Sequence, residues 1–137
     1  MKTAVDSSVL LDVLGADPEF GEASREALRS AHDAGALVAC EVVWAEVRAH
    51  FSDDEPFREA MELLGVRFDP LPPEAAELAG ALWRQRRKRS AESGRNRVVA
   101  DLLVGAHAWL RADRFLTRDR GFYRQAFEGL TVTGPSA

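Results

Sequence analysis

Short apolar runs that end on a charge alternate along this chain with longer segments of helical spacing, and this alternation restricts the fold more than any other feature. Residues 2 to 6 (KTAVD) read as a first strand, and SSVLLDVL follows at once as a helix with Ser7 or Ser8 as N-cap. The spacing of Phe20, Ala23, Ala27, Leu28 and Ala31 predicts a helix over FGEASREALRSAHDAG, stopped by Gly35. ALVAC is then a short buried strand and EVVWAEVRAHF a helix. Another helix opens at Asp53-Asp54-Glu55-Pro56, where acids and a proline suit a first turn, and stops at Leu64-Gly65. VRFDPL reads as a strand, and Pro72-Pro73 opens a long helix through AAELAGALWRQRRKR. Ser93-Gly94 reads as a turn, Asn96 as an N-cap, and RVVADLLVGAHAWLRA as a helix with an apolar stripe. RFLTRD, GFYRQAFEGL and LTVT complete the order as strand, helix and strand. Such alternation predicts an α/β domain with a mainly parallel sheet covered by helices on both faces. Ligands of these sheets bind beyond the carboxyl ends of the strands.

Four acids stand at the ends or edges of the apolar segments: Asp6 after TAV, Glu46 in VVWAEV, Asp101 in VVADLLVG and Asp119 closing FLTRD. An unpaired buried carboxylate costs several kcal/mol, roughly, so charges in these places call for a common partner. A shared cation is the simplest one. Carboxylates are hard oxygen donors suited to Mg²⁺ or Mn²⁺, while the soft and imidazole ligands of zinc are scarce and badly spaced here. A divalent ion held by acids activates water and neutralises charge on a phosphoryl oxygen, and the reaction implied is phosphodiester hydrolysis. Each acid also has a plainer explanation. Asp6 and Asp119 can cap the helices that follow them, and Asp101 can pair with Arg97 one turn earlier. Glu46 shares a helical face with Val42, Val43 and Ala49, which makes it a better ligand candidate than Glu41 in the first turn.

The 137 residues are expected to form one domain, 1–137. MKTAVD passes directly into the first strand with no hydrophobic leader, and no apolar run is long enough to span a bilayer, so a soluble, cytoplasmic protein without membrane association is expected. The single cysteine, Cys40, excludes an internal disulfide and reads as a buried thiol among LVAC. A net charge of −4 argues against a general polyanion binder, yet seven of the eighteen basic residues fall between Arg84 and Arg97. Arg84, Arg86, Arg87 and Arg97 are therefore candidates to hold the phosphates of a phosphodiester, against the plainer reading of a solvated helix end. His50 and His107 are not placed as ligands. Trp44, Phe51, Trp83 and Trp109 read as core or interface rather than base-stacking residues, and Asp12 as a solvated helix position. A receiver-type α/β domain would need a lysine near the last strands, where neither Lys2 nor Lys88 lies.

AVDSSVLLDVL, WAEV, RVVADLLVGAHA and LTRDRGFYR, in this order, resemble the signature blocks of the PIN domain, in particular of VapC-type toxins of toxin–antitoxin pairs. The resemblance spans essentially the whole chain. It implies a three-layer α/β/α fold around a five-stranded parallel sheet, an acidic quartet binding Mg²⁺ or Mn²⁺, and endoribonuclease activity. It further implies a homodimer and a VapB-like antitoxin that enters the active-site groove. Asp6, Asp101, Glu46 and Asp119 match the family's metal-binding acids, and Thr117 its Ser/Thr two positions before the last acid. The sequence reads DSS where many members have Asp-Thr-Asn, so Ser8 replaces an amide near the metal. A catalytically impaired PIN-like RNA-binding or regulatory module is the alternative that this departure leaves open.

Overall fold

The computed structural model describes residues 1–89 and 95–135, with the side chains of 88–89 and 95–98 outside that description. Its elements run β1 (Lys2–Val5), α1 (Ser7–Leu14), α2 (Gly21–Ala34), β2 (Ala36–Ala39), α3 (Glu41–Arg48), α4 (Asp54–Leu64) and β3 (Val66–Phe68). They continue with α5 (Pro73–Arg89), α6 (Arg95–Arg111), β4 (Arg114–Leu116), α7 (Arg120–Ala126) and β5 (Val132–Thr133). The strands form one five-stranded sheet in the order β3-β2-β1-β4-β5, every neighbouring pair parallel. Parallel neighbours need long crossovers, and the helices between consecutive strands supply them. Burial on both faces explains why the central strands are nearly continuous apolar runs: Ala4, Val5, Leu37, Val38, Phe115 and Leu116 are all core residues.

From β1 the chain first builds outward through β2 and β3, then returns to the other side of β1 to add β4 and β5. The strand order therefore reverses between β1 and β4, and a crevice opens at their carboxyl ends. Asp6 N–H donates to Leu116 O at 2.9 Å and ties those ends together.

Several local expectations are corrected. The N-cap of α1 is Asp6, not Ser7 or Ser8, because its carboxylate already accepts from Ser7 N–H. α3 stops at Arg48, short of His50 and Phe51, where Arg48 donates to Phe51 O and to Asp54 Oδ1 and turns the chain into α4. α6 starts at Arg95, so Asn96 lies inside it rather than at its cap, and the expected Ser93-Gly94 turn falls outside the described residues. Asp12 is not solvated. It is buried where α1 packs on α2, accepting from Ser24 Oγ at 2.7 Å and from Arg118 Nε at 2.7 Å.

α6 is the strut that carries Asp101, and it is fastened at its far end by an ionic cluster. Asp69, just past β3, accepts from His107 Nε2 at 2.7 Å and from Arg111 Nε and Nη2, both at 3.1 Å. Midway along α6, a β-carbon on Gly105 would overlap the buried Phe127 ring. Gly105→Ala is accordingly expected to lose about 1–3 kcal/mol through overpacking, seen as a thermal midpoint lowered by several degrees. An unchanged midpoint would show that Phe127 has room to yield. At the sheet edge, Arg124 Nη2 donates to the outward-facing Val132 O of β5 at 3.4 Å.

Candidate active site

Asp6 leaves the end of β1 with its backbone already hydrogen-bonded to β4, so its side chain has little freedom. Ser7 N–H donates to Oδ1 at 2.8 Å, while Thr117 Oγ1 donates to Oδ2 at 2.7 Å and Ser8 Oγ at 3.4 Å. The residue is 9% exposed. Burial pushes its carboxyl above the usual aspartate value, the Thr117 and Ser7 hydrogen bonds oppose that shift, and the charge of Glu46 adds to it. Thr117 is itself fully buried, and its Oγ1 accepts from Asp119 N–H at 3.0 Å, so one hydroxyl fixes both Asp6 and the backbone of Asp119. Glu46 reaches across from α3 and accepts from Ser7 Oγ at 2.8 Å.

These groups line a single cavity of about 500 Å³, walled by Asp6, Ser7, Ser8, Glu46, Ala100, Asp101, Arg118, Asp119 and Tyr123. All four candidate acids are among them. Asp119 occupies the N-cap position of α7 but makes no side-chain capping bond, and Asp6 both caps α1 and faces the cavity. Glu41 points elsewhere, accepting from Leu71 N–H at 2.8 Å. His50 sits on Glu46 O, and His107 on Asp69, outside this cavity. A family model described as PIN domain matches residues 3–128. The chain belongs to the PIN domain family.

Similar folds occur in solved structures of low sequence identity. A chain of VapBC2 from Rickettsia felis, solved bound to a DNA fragment from their promoter, aligns with 99% of this chain and 100% of its own at 13% identity and a TM-score of 0.69. VapBC-1 from nontypeable Haemophilus influenzae aligns over 98% of each chain at 21% identity and a TM-score of 0.66. FitAcB from Neisseria gonorrhoeae aligns over 95% of each chain at 20% identity and a TM-score of 0.62. No curated protein matches the sequence.

Among its described residues, this PIN domain has no three His, Cys, Asp or Glu side chains placed to hold one ion as they stand. The donor set nevertheless fits a hard divalent cation that keeps much of its own water, because the cavity offers oxygen donors with a surplus of negative charge. Arg118 is the one cation of its described wall, and it is already held by Asp12.

The basic strip is placed differently from the acids. Arg84 and Arg87 are exposed, Arg87 lies over the Trp83 ring at 5.2 Å, and Arg86 lies half-buried over Phe122 at 5.1 Å. None of the three lines the acidic cavity, and the Arg97 side chain lies outside the described residues. Two further wall residues, Arg118 and Tyr123, lie within the LTRDRGFYR block, where the sequence reading assigns a role to neither. The spacing alone hints at the second, since Tyr123 follows Asp119 by one helical turn. Its phenol is held well above the usual tyrosine range by burial first, then by the charges of Asp6, Asp101, Asp119 and Glu46.

Proposed function

We propose that this PIN domain is a Mg²⁺- or Mn²⁺-dependent endoribonuclease and the toxin of a toxin–antitoxin pair. The observation that carries the reading is the meeting of Asp6, Glu46, Asp101 and Asp119 in one cavity at the carboxyl ends of β1 and β4. These four residues would hold the ion, which when bound supplies charge neutralisation on the phosphoryl oxygen and lowers the pKa of water. Thr117 keeps Asp6 Oδ2 facing the cavity, and Ser7 holds Glu46 against α1. Asp119 has an exposed carboxylate in the wall, and the proton released as water adds to phosphorus passes to solvent on that side. The bond to the 3′-oxygen breaks and that oxygen takes up a proton, which leaves a 5′-phosphate and a 3′-hydroxyl.

The resemblance to VapC-type toxins extends the reading to partners: a VapB-like antitoxin that enters the groove, and a second copy of this chain in a homodimer. VapBC and FitAB complexes among the fold neighbours support the first of these. No helix among the described residues is long and apolar enough to cross a membrane. The DSS sequence at Asp6-Ser7-Ser8 favours one second reading, a catalytically impaired PIN-like RNA-binding or regulatory module.

An assay on single-stranded RNA with Mg²⁺ or Mn²⁺ separates the two readings. Wild type is expected to cleave and Asp6→Asn to lose cleavage. At ten times its dissociation constant a native-state ligand adds ~1.4 kcal/mol of stability, a midpoint shift of several degrees. Mg²⁺ should therefore raise the midpoint of wild type more than that of Asp6→Asn. Equal shifts in both proteins would place the ion elsewhere.

A further inference from the structure

The acidic cavity poses a problem for a polyanionic substrate: four carboxylates repel it, and a bound ion offsets only part of that charge. Donors for phosphate are needed beside the acids, and the wall holds two that the chemistry above leaves unused. Tyr123 is 2% exposed, its ring set edge-on to Phe115 and Phe122 at 4.7 and 4.9 Å and stacked on Phe127 at 6.5 Å. Three neighbouring rings fix the direction of the phenol. Its hydroxyl donates no hydrogen bond among the described residues, although the residue lines the cavity. A hydroxyl without a protein partner, carried on a buried ring and open to the cavity, is a donor available to a ligand.

Arg118 supplies the second donor. Its Nε and Nη2 are bound to Asp12 at 2.7 and 3.2 Å, and its guanidinium lies over the Phe20 ring at 4.2 Å. The side chain is thus immobilised while Nη1 makes no hydrogen bond among the described residues. Arg118 also lines a second cavity of about 1020 Å³, where Arg114 and Arg120 stand on the same wall and Glu19, Glu22 and Glu26 face them from the α2 side. Arg118 is the residue common to the two walls, and the second cavity is roomy enough for a strand of nucleic acid.

We propose that Tyr123 Oη and Arg118 Nη1 form a phosphate subsite, holding the RNA phosphodiester next to the one that is cut; the proposal rests on the nuclease reading. Both donors approach non-bridging oxygens, and both are held before substrate arrives, so little entropy is lost on binding. RNA leaving the acids passes Arg118 on the side of the larger cavity.

The test is steady-state cleavage by the full chain, together with anisotropy titration of a short labelled oligoribonucleotide in chelator, where cutting is suppressed. Tyr123→Phe removes one oxygen and keeps the ring packing, so its melting temperature should stay at the wild-type value. The expected result is a KM and an oligonucleotide Kd raised on the order of tenfold, the scale of a hydrogen bond to a charged group, with the loss falling on KM rather than kcat. Arg118→Gln leaves Asp12 a hydrogen-bond donor, weakens RNA binding, and should reduce the slope of log Kd against log salt by about 0.7. Wild-type KM and Kd in Tyr123→Phe would overturn the subsite even if the wild type cleaves RNA. Binding without cleavage by wild type, weakened in Tyr123→Phe, would uphold the subsite while the nuclease reading falls. A wild type that binds no oligonucleotide overturns the subsite. Should Arg118→Gln fail to fold, Tyr123→Phe decides alone.

Discussion

Asp101→Asn is expected to reduce RNA cleavage by at least about a hundredfold, the scale on which a positioned electrostatic group contributes to catalysis. The substitution keeps the shape of the side chain and removes only its charge. Asp101 lies on α6, whose buried residues Leu102, Val104, Ala106 and Ala108 pack into the core, so the helix should hold its place without that charge. Neutralising one of four neighbouring carboxylates also relieves repulsion in the metal-free protein. Activity should therefore fall while the chain still melts cooperatively, and this combination separates a ligand from an acid the fold needs. Full activity in Asp101→Asn would remove the residue from the site.

Asp69→Ala should produce the largest loss of stability, about 3 kcal/mol, or a thermal midpoint lower by on the order of 10 °C. Removing this carboxylate leaves the buried His107 without its partner and Arg111 without its bidentate acceptor. It also unfastens α6 from the loop after β3. Arg111 first, and then His107, hold the Asp69 carboxyl at about 2, below its ordinary 3.8. A depressed folded value means that the charged form contributes stability fully above pH 3.8, and that this contribution is lost as pH falls toward 2. The stability gap between wild type and Asp69→Ala should thus narrow on acidification from pH 4 to 2.5, as measured by urea melts. His107 makes the wild type acid-sensitive in a higher pH range. Burial lowers its value below 6.5 despite the opposing influence of Asp69, so protonation of the unfolded chain begins to cost stability as pH drops below 6.5. A gap that stays constant from pH 4 to 2.5 would show that the Asp69 charge is not what binds α6.

The order of strands and helices is legible in the sequence because the apolar period changes each time the chain crosses the sheet. Gly35 and Gly65 mark helix ends for a local reason, and Gly65 adopts a left-handed φ of 75° at the end of α4. The four acids are legible as well, since each sits where a strand or helix meets the crevice. What could not be read is pairing between distant positions. Asp12 has the sequence surroundings of a solvated residue, but its partner Arg118 is 106 positions away and appears only when β4 is laid beside β1. The Asp69–His107–Arg111 cluster is hidden for the same reason. Tyr123 looks like one more apolar residue in α7 until its neighbours fix the direction of its hydroxyl. Capping and facing the cavity also look like alternatives for Asp6 in the sequence, whereas the two oxygens of its carboxylate do both.

That division of one carboxylate bears on how such a protein is silenced. Asparagine caps a helix about as well as aspartate, so Asp6→Asn disarms the cavity without disturbing the start of α1. A cell under pressure to escape the proposed toxin thus has a mutation that leaves no trace in protein abundance. The inert chain would keep its fold, and with it any surface that binds the proposed antitoxin. Antibody signal would then report the amount of protein and nothing about its toxicity.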